Sequence, residues 1–474
     1  MSVVAVLLAS ALRLVPNYAD ITVPPNIAPL NFNVEGVTEP CRVELAAGDD
    51  ILSAAGPNVR FPQGAWRDFL SRHAGGRYEI RLRTDVGVTV CGTNAVSRHP
   101  IDSHLTYRLI APAYVDYDEI GTWQRDLRNF SKRRIYRNKQ IRKQQCVNCH
   151  TYCRGESDTY VFHVRANDVG TEIVSPKYGR LRCDLKVAGL GSSGSYPAWH
   201  PSGDYLALSV NETQQMFYTV LPNKLEVMDL RGDLILYSLK RNEVSVVEDA
   251  PENFETYPTW SADGRFLYTS CAHTDLKGLA LDDKYRRTMQ VATRVDQIRY
   301  DLVERRFDPE TGKFGAPRII VGARQDGVSV THPRTTPDGR WLVAVVSAWG
   351  VFPIGHRESD LWLFELATGQ ARRLDEVNSW EAESFPSFGK SPYWMAFSSR
   401  RGDGLFTRFY IAAFDPDSGR FGKPFLLPQE DPAEDGRVHA SYNIPEFSNG
   451  PVRESSHELR KLVEGPVTTP RLVR

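Results

Sequence analysis

Along residues 30–112 apolar and polar side chains alternate almost one for one. FNVEGV, CRVELAA, RYEIRLRTDVGVTV and LTYRLIAP are separated by Gly, Pro and Asn turn signals. A period of two places successive side chains on opposite faces of a strand. The pattern therefore predicts an N-terminal β-sandwich-like domain over 21–115. The next stretch, WQRDLRNFSKRRIYRNKQIRKQQ, has neither Gly nor Pro and spaces Trp123, Leu127, Phe130, Ile135 and Ile141 at loosely helical intervals. It predicts a short helical connector, bounded at 116–158, leading into a cysteine cluster.

Beyond the cysteines one hairpin pattern recurs four times, as SYPAWHPSGDYLALS (195–209), TYPTWSADGRFLYTS (256–270), THPRTTPDGRWLVAVVS (331–347) and SFPSFGKSPYWMAFSS (384–399). Each has a Pro, a short strand, a tight turn and an aromatic-aliphatic strand. Pro197, Pro258, Pro333 and Pro386 are 61, 75 and 53 residues apart, an uneven repeat. Second hairpins lie between them, with turns in FDPETGKFG (307–315), FELATGQARRL (364–374) and FDPDSGRFGKP (414–424). Two hairpins per repeat make a four-stranded antiparallel sheet, and sheets arranged radially hide their edges against one another. The expectation is a mainly β chain with a five- or six-bladed β-propeller over 159–430. Residues 431–474 form a C-terminal tail that closes the ring.

Residues 3–12 form an apolar run too short to cross a bilayer. It has the length of the central part of an export signal but lacks the positive leader, so residues 1–20 are read as a signal remnant, with a buried strand as the alternative. No other run approaches a membrane helix. With 58 basic and 58 acidic side chains the formal charge is zero, which removes any global electrostatic case for nucleic acid. One local exception stands out. Nine of the nineteen residues from Arg125 to Lys143 are Lys or Arg, against the single acid Asp126. This segment is either a solvated face or a docking patch for an acidic partner.

Seven cysteines are too few for a disulfide-stapled scaffold. Cys41 with Cys91, and Cys153 with Cys183, are conceivable bridges. Cys146, Cys149 and His150 spell C-x-x-C-H, the arrangement that offers two thiols to a porphyrin and an adjacent imidazole to its iron. Covalent haem c at Cys146 and Cys149, with His150 as proximal ligand, is the leading reading. Zinc is the rival, because Cys153 could join the other three as a fourth ligand, although adjacent Cys149 and His150 would struggle to reach one tetrahedral centre. A thioredoxin-type dithiol lacks its βαβ setting. For the distal position His163, thirteen residues on, is the first candidate, with His200, His332 and His356 as alternatives. No nucleophile elbow, zincin motif, phosphate loop or dinucleotide fingerprint occurs. Asp301, Asp308, Asp360, Asp415 and Asp417 fall at turns, where Asx bonding accounts for them.

The YPAWHPSG and YPTWSADGR hairpins resemble the WD-type repeats of TolB-like β-propellers. In chain order, DITVPPNIAPLNFNVEG, IDSHLTYRLIAP, CVNCH, the propeller repeats and SYNIPEF are similar to the landmarks of secreted bacterial proteins that join an N-terminal β domain, a C-x-x-C-H segment and a TolB-like propeller. The resemblance implies a periplasmic or extracellular protein carrying haem. Electron transfer with a redox protein, multihaem or membrane-associated, is the expected role. A cytochrome cd-like oxidoreductase, and an interaction scaffold in which haem or zinc is structural, are the alternatives, because propellers host many functions.

Overall fold

The computed structural model describes residues 12–37, 40–112, 117–140, 145–165, 170–186, 190, 194–217, 225–248, 250, 252–274, 278–280 and 282–473. Six antiparallel sheets surround a common axis, and their innermost strands neighbour one another in a closed cycle. Blade 1 is assembled from both ends of the chain. Ser441–Ser448 is its inner strand, followed outward by His104–Ile110, Gly121–Asp126 and Lys132–Arg137. The inner strands of blades 2 to 6 are Cys146–Tyr152, Ser195–Trp199, Asn253–Trp260, Ser329–Thr335 and Glu383–Phe388. Blades 3 and 4 also join edge to edge through the single parallel pair Gly232 and Phe254.

The stretch expected to be a helical connector is thus strand throughout its regular parts. Its only helical piece among the described residues is the 3-10 turn Tyr117–Glu119. The physical reason lies in DLRNFS. Asp126 accepts from the Arg128 amide at 2.9 Å, Asn129 accepts from the Ser131 amide at 2.7 Å, and the Asp126 amide donates to the Ser131 carbonyl at 3.0 Å. Two Asx turns reverse the chain between paired strands. A segment without Gly or Pro hid this hairpin.

The chain after Ser448 straps the outside of the ring. Helix Ser456–Glu464 opens with a capping box formed by Ser455 and Glu458 and buries Leu459, Leu462 and Val463 against blades 1 and 2. Val467–Thr468 and Arg471–Val473 then add parallel to the outer strands of blades 2 and 3. Those two edges are covered.

Residues 12–99 form two sheets, one of three strands and one of five, with helix Gln63–Arg72 burying Trp66, Phe69 and Leu70. Their core runs without a break into Leu105, Tyr107, Trp394, Phe409, Tyr442 and Phe447 of blades 1 and 6. The N-terminal domain therefore sits over the seam where the ring closes. No helix among the described residues is long and apolar enough to cross a membrane. The expectation for residues 3–12 falls almost wholly outside the described residues.

Candidate functional site

Every inner strand slips register at one place, and there one residue takes a left-handed backbone. The six are Cys149 (φ 55), Tyr196 (46), Tyr257 (51), His332 (49), Phe385 (49) and Ile444 (57). The slips lie between Asn148 and Thr151, Ser195 and Ala198, Thr256 and Thr259, Thr331 and Arg334, Ser384 and Ser387, and Asn443 and Glu446. Such a bulge re-aims a side chain out of the pleat, here toward the axis. In five blades the next residue is proline, at Pro197, Pro258, Pro333, Pro386 and Pro445. Proline suits a position withdrawn from the ladder because it has no N–H to leave unpaired. In blade 2 that position is His150.

The six re-aimed side chains border one narrow axial cavity, which His150 and Arg334 also line. Tyr257 packs between Tyr196 (4.6 Å between ring centres) and His332 (4.0 Å, nearly parallel), and His332 meets Phe385 edge-on at 4.4 Å. Cys149 and Ile444 complete the circle. The C-x-x-C-H motif is therefore blade 2's version of a feature that the other blades build from aromatic or aliphatic residues and proline.

At the upper end of the same strand Cys146 is half-buried. Arg108 of blade 1 donates to its Sγ at 3.3 Å, and Asn148 does so at 3.8 Å. Cys149 is buried, and desolvation pushes its thiol up despite nearby Arg165 and Arg108. His150 is 5 % exposed, and the polar groups nearest its ring are the backbone at Thr106 and Ile444. Burial drives its pKa down to about 4, against the pull of the backbone at Thr106 and Ile444, so the ring is neutral. A second, tight cavity adjoins it between blades 1 and 2, walled by Tyr136, Tyr152, Tyr160 and Phe162.

The other histidines separate clearly. In the strand Tyr160–Arg165, Tyr160 and Phe162 face blade 1 while Val161 faces blade 3. His163 shares the face of Val161, opposite Asn148, and its Nδ1 lies 3.2 Å from the Thr171 hydroxyl. His163 and His150 are thus on opposite sides of the blade 2 sheet, and the structure does not bring them together. His200 is a turn residue, with Nε2 3.1 Å from the Gly264 carbonyl and Nδ1 2.8 Å from Ser202. His356 is locked between Glu226 (2.9 Å) and Glu358 (3.0 Å). Of the four candidates, His332 alone lines the cavity that Cys149 and His150 line. Both of its ring nitrogens lack partners, and burial lowers its pKa to about 3.

Cys153 turns away from the cluster and lies 3.7 Å from the His200 carbonyl. Among the described residues no three His, Cys, Asp or Glu side chains gather closely enough to hold a metal ion, so the four-ligand zinc arrangement is not assembled. All seven cysteines are free thiols. Cys41 and Cys91 stand on non-adjacent strands of the five-stranded sheet, and Cys183 is 3.6 Å from the Tyr237 hydroxyl instead of bridging to Cys153.

The basic segment is also resolved into pairs. Arg125 is 1 % exposed and binds Gln429 and the Pro428 carbonyl. Arg128 pairs with Asp126 and Lys132 with Glu434, Arg133 donates to the Val452 carbonyl, and Arg134, Arg137 and Lys139 converge on Glu119. Its described cations are engaged within the molecule. Arg142 and Lys143 lie outside the described residues.

The donors that a covalent haem would use are two thiols and a neutral imidazole on one bulged strand. What the sequence reading missed was the bulge itself and the neighbour Arg108; His332, which it held only as an alternative to His163, is the candidate that the bulges bring to the same cavity. Aligning NCH with SYP, TYP, THP, SFP and NIP would have found it.

No family model matches the chain, and no curated protein matches it. Among solved structures it is similar to a TolB protein of Agrobacterium tumefaciens, with a TM-score of 0.39 and 13% identity over 72% of this chain and 98% of that one. An oligogalacturonate lyase in complex with manganese gives 0.38 and 14%, over 68% and 73%. A puromycin-hydrolyzing peptidase of Mycobacterium tuberculosis gives 0.38 and 12%, over 86% and 57%. Likeness at this level concerns fold alone. The class that the six closed blades define is a β-propeller.

Proposed function

We propose that this chain is an exported c-type haem propeller, periplasmic or extracellular, that exchanges electrons with a redox protein, multihaem or membrane-associated. Cys146 and Cys149 would carry the thioether links and His150 would be the iron's proximal ligand. A haem held there would supply a one-electron couple. The carrying observation is His150 itself. Five blades place proline at this point, and only blade 2 places a buried imidazole there, one residue from a buried thiol.

The surrounding residues hold the imidazole in place. Thr106, Gln124 and Ser448 bind the Tyr152 hydroxyl or one another at 2.6–3.3 Å, fixing the strand just past His150. Tyr136, Tyr160 and Phe162 keep water from the ring.

The test is the mass and visible spectrum of the chain made in a host competent for cytochrome maturation. The expected result is one covalent haem, lost in Cys146→Ser/Cys149→Ser. A polypeptide of bare mass from such a host would overturn the assignment. A second reading, a ligand-binding scaffold, draws on a funnel of about 1600 Å3 on the lower face, lined by Trp199, Trp260, Arg154, Lys390 and the Arg334–Glu446 pair.

A further inference from the structure

The five-stranded N-terminal sheet runs in the order Thr22–Val23, Gly87–Val96, Arg77–Thr84, Cys41–Ala47, Asp50–Gly56. Strand Gly87–Val96 is paired on one side from Gly87 to Ala95 with a bulge at Cys91, but on the other side only Ala95 and Val96 meet a strand among the described residues. Near Gly92 that side is blocked. A Cβ there would come within 2.5 Å of Ala19, and the Thr93 amide donates to Asp20 at 2.9 Å. Among the described residues, 87–91 therefore remain as an open sheet edge, and Val90 and Cys91 face a cleft whose far side carries Leu12, Arg13, Val15, Pro16 and Glu35.

This edge lacks the usual protections. GVTVC contains no proline and no charge, and Val86, Val88 and Val90 are 98 %, 47 % and 55 % exposed. Thr84 and Gly87 close a two-residue turn, so the alternation of an antiparallel ladder directs the N–H and C=O groups of Val88 and Val90 outward. We propose that this edge pairs antiparallel with the same edge of a second copy, on a two-fold axis at Thr89. In that register Val88 of each copy meets Val90 of the other and exchanges two hydrogen bonds with it. Residues 87–91 carry no charge, so no like charges oppose. The self-complementary, uncharged edge selects a second copy over a charged partner. The paired area is small, which makes the association concentration-dependent.

Opposed residues of a non-hydrogen-bonded antiparallel pair have Cα atoms about 4.5 Å apart, within disulfide reach. In a Cys91→Ser background, Thr89→Cys is expected to form a reducible dimer under mild oxidation. Adding Val88→Lys and Val90→Lys, both exposed, should lower its yield at least tenfold. Thr368→Cys, on an exposed turn of blade 5, is the control for random collision. Sedimentation of the unmodified chain should show its mean mass rising with concentration. Cross-linking no better than the control, a yield unmoved by the lysines, or an edge already taken by residues 1–11 of the same chain so that Thr89→Cys stays monomeric would each overturn the proposal.

Discussion

Blades 2 and 4 make the same inner strand from different chemistry. Cys146–Tyr152 and Asn253–Trp260 slip register at the same point and turn one residue left-handed, with φ 55 at Cys149 and 51 at Tyr257. In blade 4 the pieces are satisfied: the Tyr257 hydroxyl donates to the Val351 carbonyl at 3.2 Å, and Pro258 has no N–H to place. In blade 2 the equivalent pieces are a buried thiol and a buried imidazole. The difference separates what the ring requires from what it permits. It requires a re-aimed side chain and a residue withdrawn from the ladder, and it permits that residue to be chemically active.

The ring common to both blades is the first thing to break. Deleting residues 441–474 removes the inner strand of blade 1 together with the outer strap, and should abolish cooperative unfolding of the propeller, read by circular dichroism during heating. Blade 4 should next prove to have its own internal support. Glu255 and Arg305 pair at 2.5 Å with almost no exposure, so Glu255→Ala strands a buried cation and should cost about 3–5 kcal/mol in denaturant unfolding. Glu255→Leu with Arg305→Met should recover most of that loss.

Exchanging the two chemistries sharpens the contrast. Pro258→His places an unpartnered imidazole in blade 4 and should destabilise by about 1–3 kcal/mol. His150→Pro should change stability by less than about 1 kcal/mol in the haem-free chain, in either direction, because it restores the pattern of the other five blades. Under the haem reading the same change abolishes imidazole ligation. A His150→Pro chain that unfolds outright would show that blade 2 is not built on the common plan.

A smaller effect concerns His356, which joins the long blade 3 hairpin to blade 5. Burial alone would lower its pKa, but hydrogen bonds to Glu226 and Glu358 outweigh it and raise the value to about 9. A group raised on folding stabilises fully below its unfolded pKa near 6.5 and loses that contribution as pH rises through about 9. Stability should therefore fall on the alkaline side, and His356→Gln should flatten that limb in a pH series of thermal melts.

Much of this architecture was legible in the chain. The Tyr-Pro, His-Pro and Phe-Pro hairpins announced four blades because a proline, a turn and an aromatic strand leave local signatures that any reader can count. The remaining blades were hidden for separate reasons. Blade 2 writes its bulge as Cys-His, which looks like a cofactor motif and not a repeat. Blade 1 takes its strands from opposite ends of the chain, and its middle hairpin turns on Asp126 and Asn129 without Gly or Pro.

The sequence by itself determined which residues carry reactive groups and, through period-two patterning, that the chain is a repeated β structure. Only the tertiary structure decided which groups share a space. His163 is thirteen residues from His150 yet lies across a sheet from it, while His332, some 180 residues away, lines the same cavity. A sheet separates its two faces completely, whereas a closed ring brings the same point of every blade to one axis.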